Sequence, residues 1–343
     1  MAGNSLGQAM RSAIEASWYQ DKPGWTQILA PLECLYRRVV ATRFQRRIKQ
    51  LNSPPVIVVG NISVGGTGKT PCVQALVLWL RSQGLRPGII SRGYGSQSEQ
   101  FPLAVDADTD VTLSGDETKM LALACQCPVV IDPNRKQALL YITEHFDVDI
   151  VISDDGLQHY GLPRAIEIAV IDGKRGLGNK HCLPVGPLRE PEQRLTQVDL
   201  VLQNGLSTTG EPLYNNAVVF TLTPVHWVNV KTGERLPLQS LTANGSLCAV
   251  AAIGNPQRFF DTLTVLALPF DSTAFADHHQ FTAQDFAEYG GRTVVMTEKD
   301  AVKCAAFAAD NWWYLKVQAN IPEPVFDELT NRLALRTNSS PFD

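Results

Sequence analysis

The chain has 343 residues, 44% of them hydrophobic and 19% charged, which describes an ordinary folded protein and excludes a disordered or membrane-embedded one. No stretch approaches the ~20 apolar residues of a membrane-spanning helix, and the Met-Ala-Gly-Asn-Ser start lacks the basic and apolar regions of a secretory signal. Seven cysteines without a Cys-x-x-Cys pair suit a reducing, cytosolic compartment, and a net charge of −4 conceals a basic leader, with eight Lys or Arg against three acids in residues 1–50, on an acidic body.

Residues 1–50 read as helical and amphipathic. Trp18, Tyr19 and Trp25 are followed by Leu29, Leu32, Tyr36, Val39 and Val40 near helical spacing, while Arg37, Arg38, Arg43, Arg46, Arg47 and Lys49 crowd the later part. Two readings stand side by side: a basic helix lying in a membrane interface, or a helix packed on the body with its arginines solvated.

Val56–Val59 is a continuous β-branched run, the mark of a strand buried on both faces. The chain then turns through Gly65, Gly66 and Gly68, meets Lys69 and Thr70, and continues with Val73, Leu76, Val77 and Leu80 at helical spacing, with Pro71 in the first turn. Strand, glycine loop and helix in this order form the context of a phosphate-binding loop. The backbone of Ser63, Val64, Gly65, Gly66, Thr67 and Gly68 would cradle the phosphates of a nucleoside triphosphate, Lys69 would reach the outer ones, and the Thr70 hydroxyl would ligate Mg²⁺. The strict pattern has Gly where Ser63 stands, so the Gly65–Gly66 pair is expected to supply the flexibility.

Strand and helix signals alternate from Pro54 to about Asn204, which argues for a parallel sheet covered on both faces. A strand at Pro87–Ser91 leads into Arg92-Gly93-Tyr94-Gly95. Ser114 and Glu117 are spaced as a capping box, with Asp116 between them free to point outward. After a strand at Pro128–Ile131, Arg135 and Lys136 open a helix. The apolar run Ile150–Ser153 then delivers Asp154 and Asp155 to its carboxyl end, where P-loop proteins hold Mg²⁺. Strands at Ile166–Ile171 and Val198–Leu202 flank a proline-rich ordered loop at 183–191 that carries Arg189. Residues 217–240 change character, with Val218–Leu222 and Trp227–Val230 reading as an antiparallel ribbon. A second small α/β region follows, with Asp277-His278-His279 in a loop and Thr297 and Asp300 spaced as a helix cap.

The expected architecture is α/β: a P-loop NTPase-like parallel sheet with helices on both faces, plus a smaller C-terminal α/β domain joined through a β-ribbon. The expected divisions are an amphipathic leader at 1–50, a kinase domain at 51–216, the ribbon at 217–240 and the C-terminal domain at 241–343. From the residues alone, a kinase or ligase acting on a soluble substrate and a nucleotide-switch ATPase both remain open. The switch reading lacks the additional early lysine of such loops, since Ser63-Val64 supplies none. Nucleic acid is not an expected partner, because the body is acidic and its aromatics are not interleaved with basic residues.

Taken in order, Val-Gly-Asn-Ile-Ser-Val-Gly-Gly-Thr-Gly-Lys-Thr-Pro (59–71), Ser-Arg-Gly-Tyr-Gly (91–95), Gly-Asp-Glu (115–117), Asp-Asp-Gly-Leu-Gln-His (154–159), Leu-Pro-x-Gly-Pro-Leu-Arg-Glu-Pro (183–191), Asp-His (277–278) and Thr-x-Lys-Asp (297–300) form a specific set. The set resembles the tetraacyldisaccharide 4'-kinase family of Gram-negative bacteria, over roughly residues 20 to 320. The resemblance implies phosphorylation of a lipid A disaccharide precursor with ATP and Mg²⁺, by a protein held peripherally on inner-membrane lipids at the cytosolic face. It further implies Asp116 as general base, His278 as the residue that orients it on domain closure, and Lys69 as the phosphate cation. Thr70, Asp154, Asp155 and Glu117 would order Mg²⁺, and Tyr94, Arg135, His159 and Arg189 would lie near the acceptor or the phosphates.

Overall fold

The computed structural model describes residues 13–20, 24–45, 51–241 and 247–334; Arg46, Arg47 and Lys49 of the basic leader lie outside them. After a helical stretch at 13–18 and a 3₁₀ turn at Trp25–Leu29, helix α1 spans Ala30–Gln45. Strand β1, Val56–Gly60, is buried at every position, as its β-branched run requires. Helix α2, Lys69–Ser82, accepts Pro71 in its first turn and buries Cys72, Val73, Leu76, Val77 and Leu80 along one stripe. Next come β2 (Pro87–Ser91), β3 (Leu103–Val105), α3 (Asp116–Cys125), β4 (Val129–Ile131) and α4 (Arg135–His145), the last capped by the Asn134 side chain on Lys136 N. Strands β5 (Ile150–Asp154) and β6 (Ile166–Asp172) are buried throughout, and β7 (Leu200–Asn204) nearly so. The chain continues through β8 (Ala217–Asn229), β9 (Arg235–Pro237), β10 (Leu247–Ala251), α5 (Pro256–Val265) and β11 (Phe270–Ala274). It ends with β12 (Val294–Thr297), α6 (Glu298–Cys304), β13 (Trp312–Asn320) and α7 (Glu323–Arg332).

These elements group into two compact units. The first takes in the chain up to Lys69, Asp149–Thr221 and the chain from Ile321; the second takes in Thr70–Val148 and Leu222–Asn320. In the first, β5, β1, β6, β7 and the start of β8 run side by side, all parallel, with Val58 opposite Ser153 and Glu167. This is the buried, β-branched sheet expected of an α/β protein. In the second, β2 and β4 are parallel and β3 closes on β4 antiparallel, while β11, β10, β12 and β13 form a parallel set. Alternate residues of β10 feed two cores: Cys248 and Val250 join Phe286, Met296 and Trp312, whereas Ala249 and Ala251 join Trp227, Phe260 and Trp313.

Two local expectations are overturned. Ser114 does not cap α3. It closes a separate single turn, Val111–Ser114, capped by Asp110, and its hydroxyl donates to Asp110 O at 3.1 Å. Helix α3 instead begins after Gly115, whose φ of +78° breaks the helix and where a Cβ would collide with the Tyr94 carbonyl oxygen. Nor is Val218–Leu222 one leg of a ribbon. Val218 pairs parallel with Leu202 as part of β8, and the ribbon is made farther along, where Trp227 pairs antiparallel with Leu236. Pro224 falls between these two pairings.

Candidate active site

The phosphate loop leaves the end of β1 in the first unit and is braced from three sides. Ser63 forms an isolated antiparallel bridge with Leu188, and Val64 N donates to Pro187 O at 2.8 Å, so the proline-rich loop acts as a short strand alongside it. Asn61 Nδ2 donates to Gly65 O at 3.2 Å, and Asn204 Nδ2 donates to Thr67 O at 3.1 Å. Gly65 and Gly68 hold φ of +104° and +92°, whereas Ser63 has no positive φ. The departure from the strict pattern therefore removes a glycine where the backbone needs none; of the expected Gly65–Gly66 pair, Gly65 takes a positive φ and Gly66 does not.

At the far end of the loop, Lys69 Nζ lies 3.4 Å from Asp155 Oδ1, and Arg189 Nη1 lies 2.9 Å from Asp155 Oδ2. Asp155 sits just beyond β5 with φ of +49°, a left-handed turn that Asp tolerates better than most residues. Partial burial pushes its carboxyl up, but the charges of Lys69 and then Arg189 outweigh burial and hold it well below the usual carboxylate range. Asp154, the last residue of β5, is buried. Gln158 ties the loop to the same region, its amide donating to Asn61 O and to Glu190 Oε1. One cation was not foreseen: the Arg175 guanidinium lies over the Tyr19 ring at 4.5 Å, and its Nη1 would be 3.0 Å from a Cβ at Gly65. No contiguous motif signals it.

The leader is stitched to this unit by its inward edge. Trp18 Nε1 donates to Pro184 O, Thr26 Oγ1 to Val185 O and Tyr36 OH to Arg189 O, while the buried Glu33 carboxylate accepts from Cys182 N at 2.8 Å. Its outward edge exposes Trp25, Ile28, Leu32, Leu35 and Val39, together with Arg37, Arg38 and Arg43. Both sequence readings of the leader thus have a physical basis, one on each edge. Among the described residues, no helix is long and apolar enough to cross a membrane.

The second unit builds a different constellation. Asp116 opens α3 and is 7% exposed; its Oδ1 accepts from Glu117 N at 2.8 Å, and its Oδ2 lies 3.0 Å from His278 Nδ1. The two residues already meet inside one compact unit, so no closure is required to join them. His278 sits in a loop with φ of +61°, a strained conformation that costs on the order of 1–2 kcal/mol for a residue with a side chain. His279 faces elsewhere, stacking on Phe275 with its Nε2 3.4 Å from Asp285. Burial pushes the Asp116 carboxyl up, but the hydrogen bond from His278 and the charge of Lys299 more than reverse this, leaving it below its ordinary value. The same hydrogen bond raises His278, against burial and against Lys299.

Lys299, from the first turn of α6, lies at the centre of this group. Its Nζ donates to Glu117 Oε1 at 2.9 Å and lies 3.6 Å from Asp277, 3.8 Å from Asp116 and 3.5 Å from His278 Nε2. Burial opposes its charge, but Glu117, Asp116 and Asp277 together raise it above its ordinary value. The sequence placed Lys299 in the Thr-x-Lys-Asp motif without a role. That motif does form the expected cap, with Thr297 Oγ1 accepting from Asp300 N, and this accounts for positions 297 and 300 but not 299.

The remaining expected residues divide. Tyr94 places its exposed ring 4.9 Å from that of His278, tilted by 49°. Glu117 is engaged by Lys299. Arg135 is buried and donates to Asp132 O. His159 lies just beyond β5, with its carbonyl accepting from Arg164. Thr70 is the second residue of α2.

A strand–glycine loop–helix unit whose lysine faces a strand-end aspartate, in a chain that also holds a buried carboxylate–imidazole pair, defines a P-loop kinase. The chain belongs to the tetraacyldisaccharide-1-P 4'-kinase family, whose model matches residues 25–334. It is 47% identical over 323 residues to the tetraacyldisaccharide 4'-kinase of Pseudomonas fluorescens Pf0-1, covering 93% of this chain and 94% of that one. It is 46% identical over 316 residues to its namesake from Pseudomonas aeruginosa LESB58, covering 91% and 93%. The fold is similar to that of an "apo" form of LpxK from Aquifex aeolicus crystallised in complex with ATP, with a TM-score of 0.74 and 26% identity over 90% of this chain and all of that one.

Proposed function

We propose that the protein transfers the γ-phosphoryl group of ATP to the 4'-hydroxyl of a tetraacyldisaccharide 1-phosphate, at the cytosolic face of the inner membrane. The observation that carries this reading is the buried Asp116 carboxylate, held ionised 3.0 Å from His278 in a chain whose phosphate loop presents Lys69. The backbone of Ser63–Gly68 would receive the phosphates, and Lys69 and Arg189, now sharing Asp155, would turn toward them. Asp116 takes the proton of the 4'-hydroxyl as its oxygen bonds to the γ-phosphorus. The bond from that phosphorus to the bridging oxygen breaks, and ADP leaves with the electron pair. Tyr94, beside His278, and His159 would contact the sugar or its phosphate.

The donors present suit Mg²⁺, which is commonly held by one or two carboxylates together with substrate phosphates. Among the described residues, no cluster of three or more His, Cys, Asp or Glu would hold a metal by itself. Thr70, Asp154 and, once Lys69 and Arg189 turn to the phosphates, Asp155 are the oxygen donors that would hold the ion, whereas Glu117 is paired with Lys299. When bound, it neutralises charge on the transferring phosphoryl group. The acyl chains of such an acceptor stay in a bilayer, and the exposed apolar edge of the leader with its arginines would rest on anionic lipid there.

The test is transfer of labelled γ-phosphate from ATP to a tetraacyldisaccharide 1-phosphate in mixed micelles. Lys69→Ala is expected to lower kcat by ~10²–10³-fold and Asp116→Ala by ~10²–10⁴-fold. A folded wild type that hydrolyses ATP without labelling the lipid would instead point to a soluble acceptor.

A further inference from the structure

Lys69 and Arg189 are two cations at the phosphate loop, and a third, Arg175, stands against the loop without a role so far. We infer that Arg175 is a phosphate-binding residue, its guanidinium reaching the terminal phosphate of the nucleoside triphosphate while Tyr19 of the leader holds it in place. The inference rests on the reading of residues 63–70 as a nucleotide site and not on the identity of the acceptor.

Three observations place the guanidinium there. The first is the sheet. Strands β1 and β6 are parallel neighbours, with Gly60 opposite Ala169, so the phosphate loop and the turn after β6 leave by the same carboxyl edge. Ligands of such sheets gather at that edge. The second is the turn. Asp172, the last residue of β6, is buried, and its Oδ1 accepts from Lys174 N at 2.9 Å and from Arg175 N at 3.0 Å. Farther on, Asn179 N donates to Trp18 O at 2.7 Å, and a Cβ at Gly178 would strike that same carbonyl oxygen. The backbone that carries Arg175 is therefore pinned on both sides. The third is contact with the loop itself. A Cβ at Gly65 would lie 3.0 Å from Arg175 Nη1 and 3.6 Å from both Cζ and Nη2, so the guanidinium fills the space a side chain would take.

What holds the guanidinium decides its use. Its Cζ lies over the Tyr19 ring at 4.5 Å. A phenol ring fixes a cation without cancelling its charge, whereas Lys69 and Arg189 share the Asp155 carboxylate. A cation held in this way, against a loop of backbone N–H groups, favours an anion. The N–H groups nearest Lys69 take the inner phosphates. That leaves the outermost phosphate to a cation against the earlier half of the loop, where Gly65 lies.

The experiment measures displacement of a fluorescent ADP analogue from the full chain, with Mg²⁺ and without lipid, by ADP and by the β,γ-imido analogue of ATP. Arg175→Gln is expected to weaken the triphosphate analogue about ten- to a hundredfold, the scale of one hydrogen bond to a charged group. ADP is expected to weaken less than about twofold. Should Arg175→Gln not fold, Tyr19→Leu carries the same test, because it keeps the charge and removes the ring that holds it. There the triphosphate analogue is expected to weaken roughly threefold and ADP not at all. Equal weakening of both nucleotides would make Arg175 a brace of the loop and overturns the inference, as does unchanged binding of both. If the selective loss is seen but wild type never labels the lipid, Arg175 still reads the terminal phosphate and the proposed acceptor fails.

Discussion

The two ionised clusters carry opposite balances of charge. Around Asp155 one carboxylate is shared by Lys69 and Arg189, an excess of positive charge beside a loop of backbone N–H groups. Around Lys299 one ammonium and one imidazole serve Asp116, Glu117 and Asp277, an excess of negative charge. Each balance opposes the charge of what it would meet, a polyphosphate in the first case and a hydroxyl proton in the second. The lesson is that an ion pair in the free protein can be a placeholder: Asp155 keeps two cations oriented where an anion is to bind. Strain follows the same division of labour, since Asp155 and His278 are both left-handed residues with side chains.

The sharpest break of this comparison is Asp155→Asn, which preserves shape and removes the shared negative charge. Lys69 and Arg189 would then repel each other across a site meant for phosphate. We expect kcat to fall by ~10²-fold in the γ-phosphate transfer assay, while the Asp116–His278 pair keeps its pH profile. A change in that profile would show that the two charge balances are not independent.

The second break is His278→Gln, with an expected loss of about ten- to a hundredfold at pH 8, the scale of one hydrogen bond to a charged group. The sign of the pH dependence carries more than the magnitude. The bond to Asp116 raises His278 above its ordinary value, so wild-type activity is expected to be lost as pH falls through that raised value. With Gln in place this step disappears, and activity holds down toward the carboxylate range. An acid limb unchanged in His278→Gln would assign it to another group.

How far these clusters were legible follows from how each is built. The phosphate loop lies in one contiguous stretch, so strand, glycines and Lys69 could be read by spacing alone. What braces it could not: the bond from Val64 to Pro187 runs between backbones, and backbone pairing leaves no side-chain signature in a loop. The second cluster joins residues 162 positions apart, and only the family resemblance linked Asp116 to His278. Lys299 was hidden by a sound local explanation, the Thr297 cap, which covers its neighbours and leaves it without a role. Ser114 shows the reverse error. Its spacing to Glu117 fits a cap, but Gly115 packs on the Tyr94 backbone and moves the helix start by a contact no local pattern records.

The smallest expected effect on catalysis concerns the leader, whose inward edge belongs structurally to the phosphate-loop unit. Leu32→Glu with Leu35→Glu changes two exposed side chains and leaves Glu33, Tyr36 and their bonds to the 181–189 loop in place. In mixed micelles kcat is expected to stay within about twofold, because no catalytic group is touched. Sedimentation with anionic phospholipid vesicles is the discriminating measurement. Burying a Leu side chain contributes about 1.5–3 kcal/mol, so partitioning into the vesicle pellet is expected to drop at least tenfold. Raising salt is expected to release the wild type as well, since Arg37, Arg38 and Arg43 act through screened charge. If the double variant pellets as before, the outward edge is not the lipid-facing one, and the leader's part in this protein reduces to bracing the loop that carries Arg189.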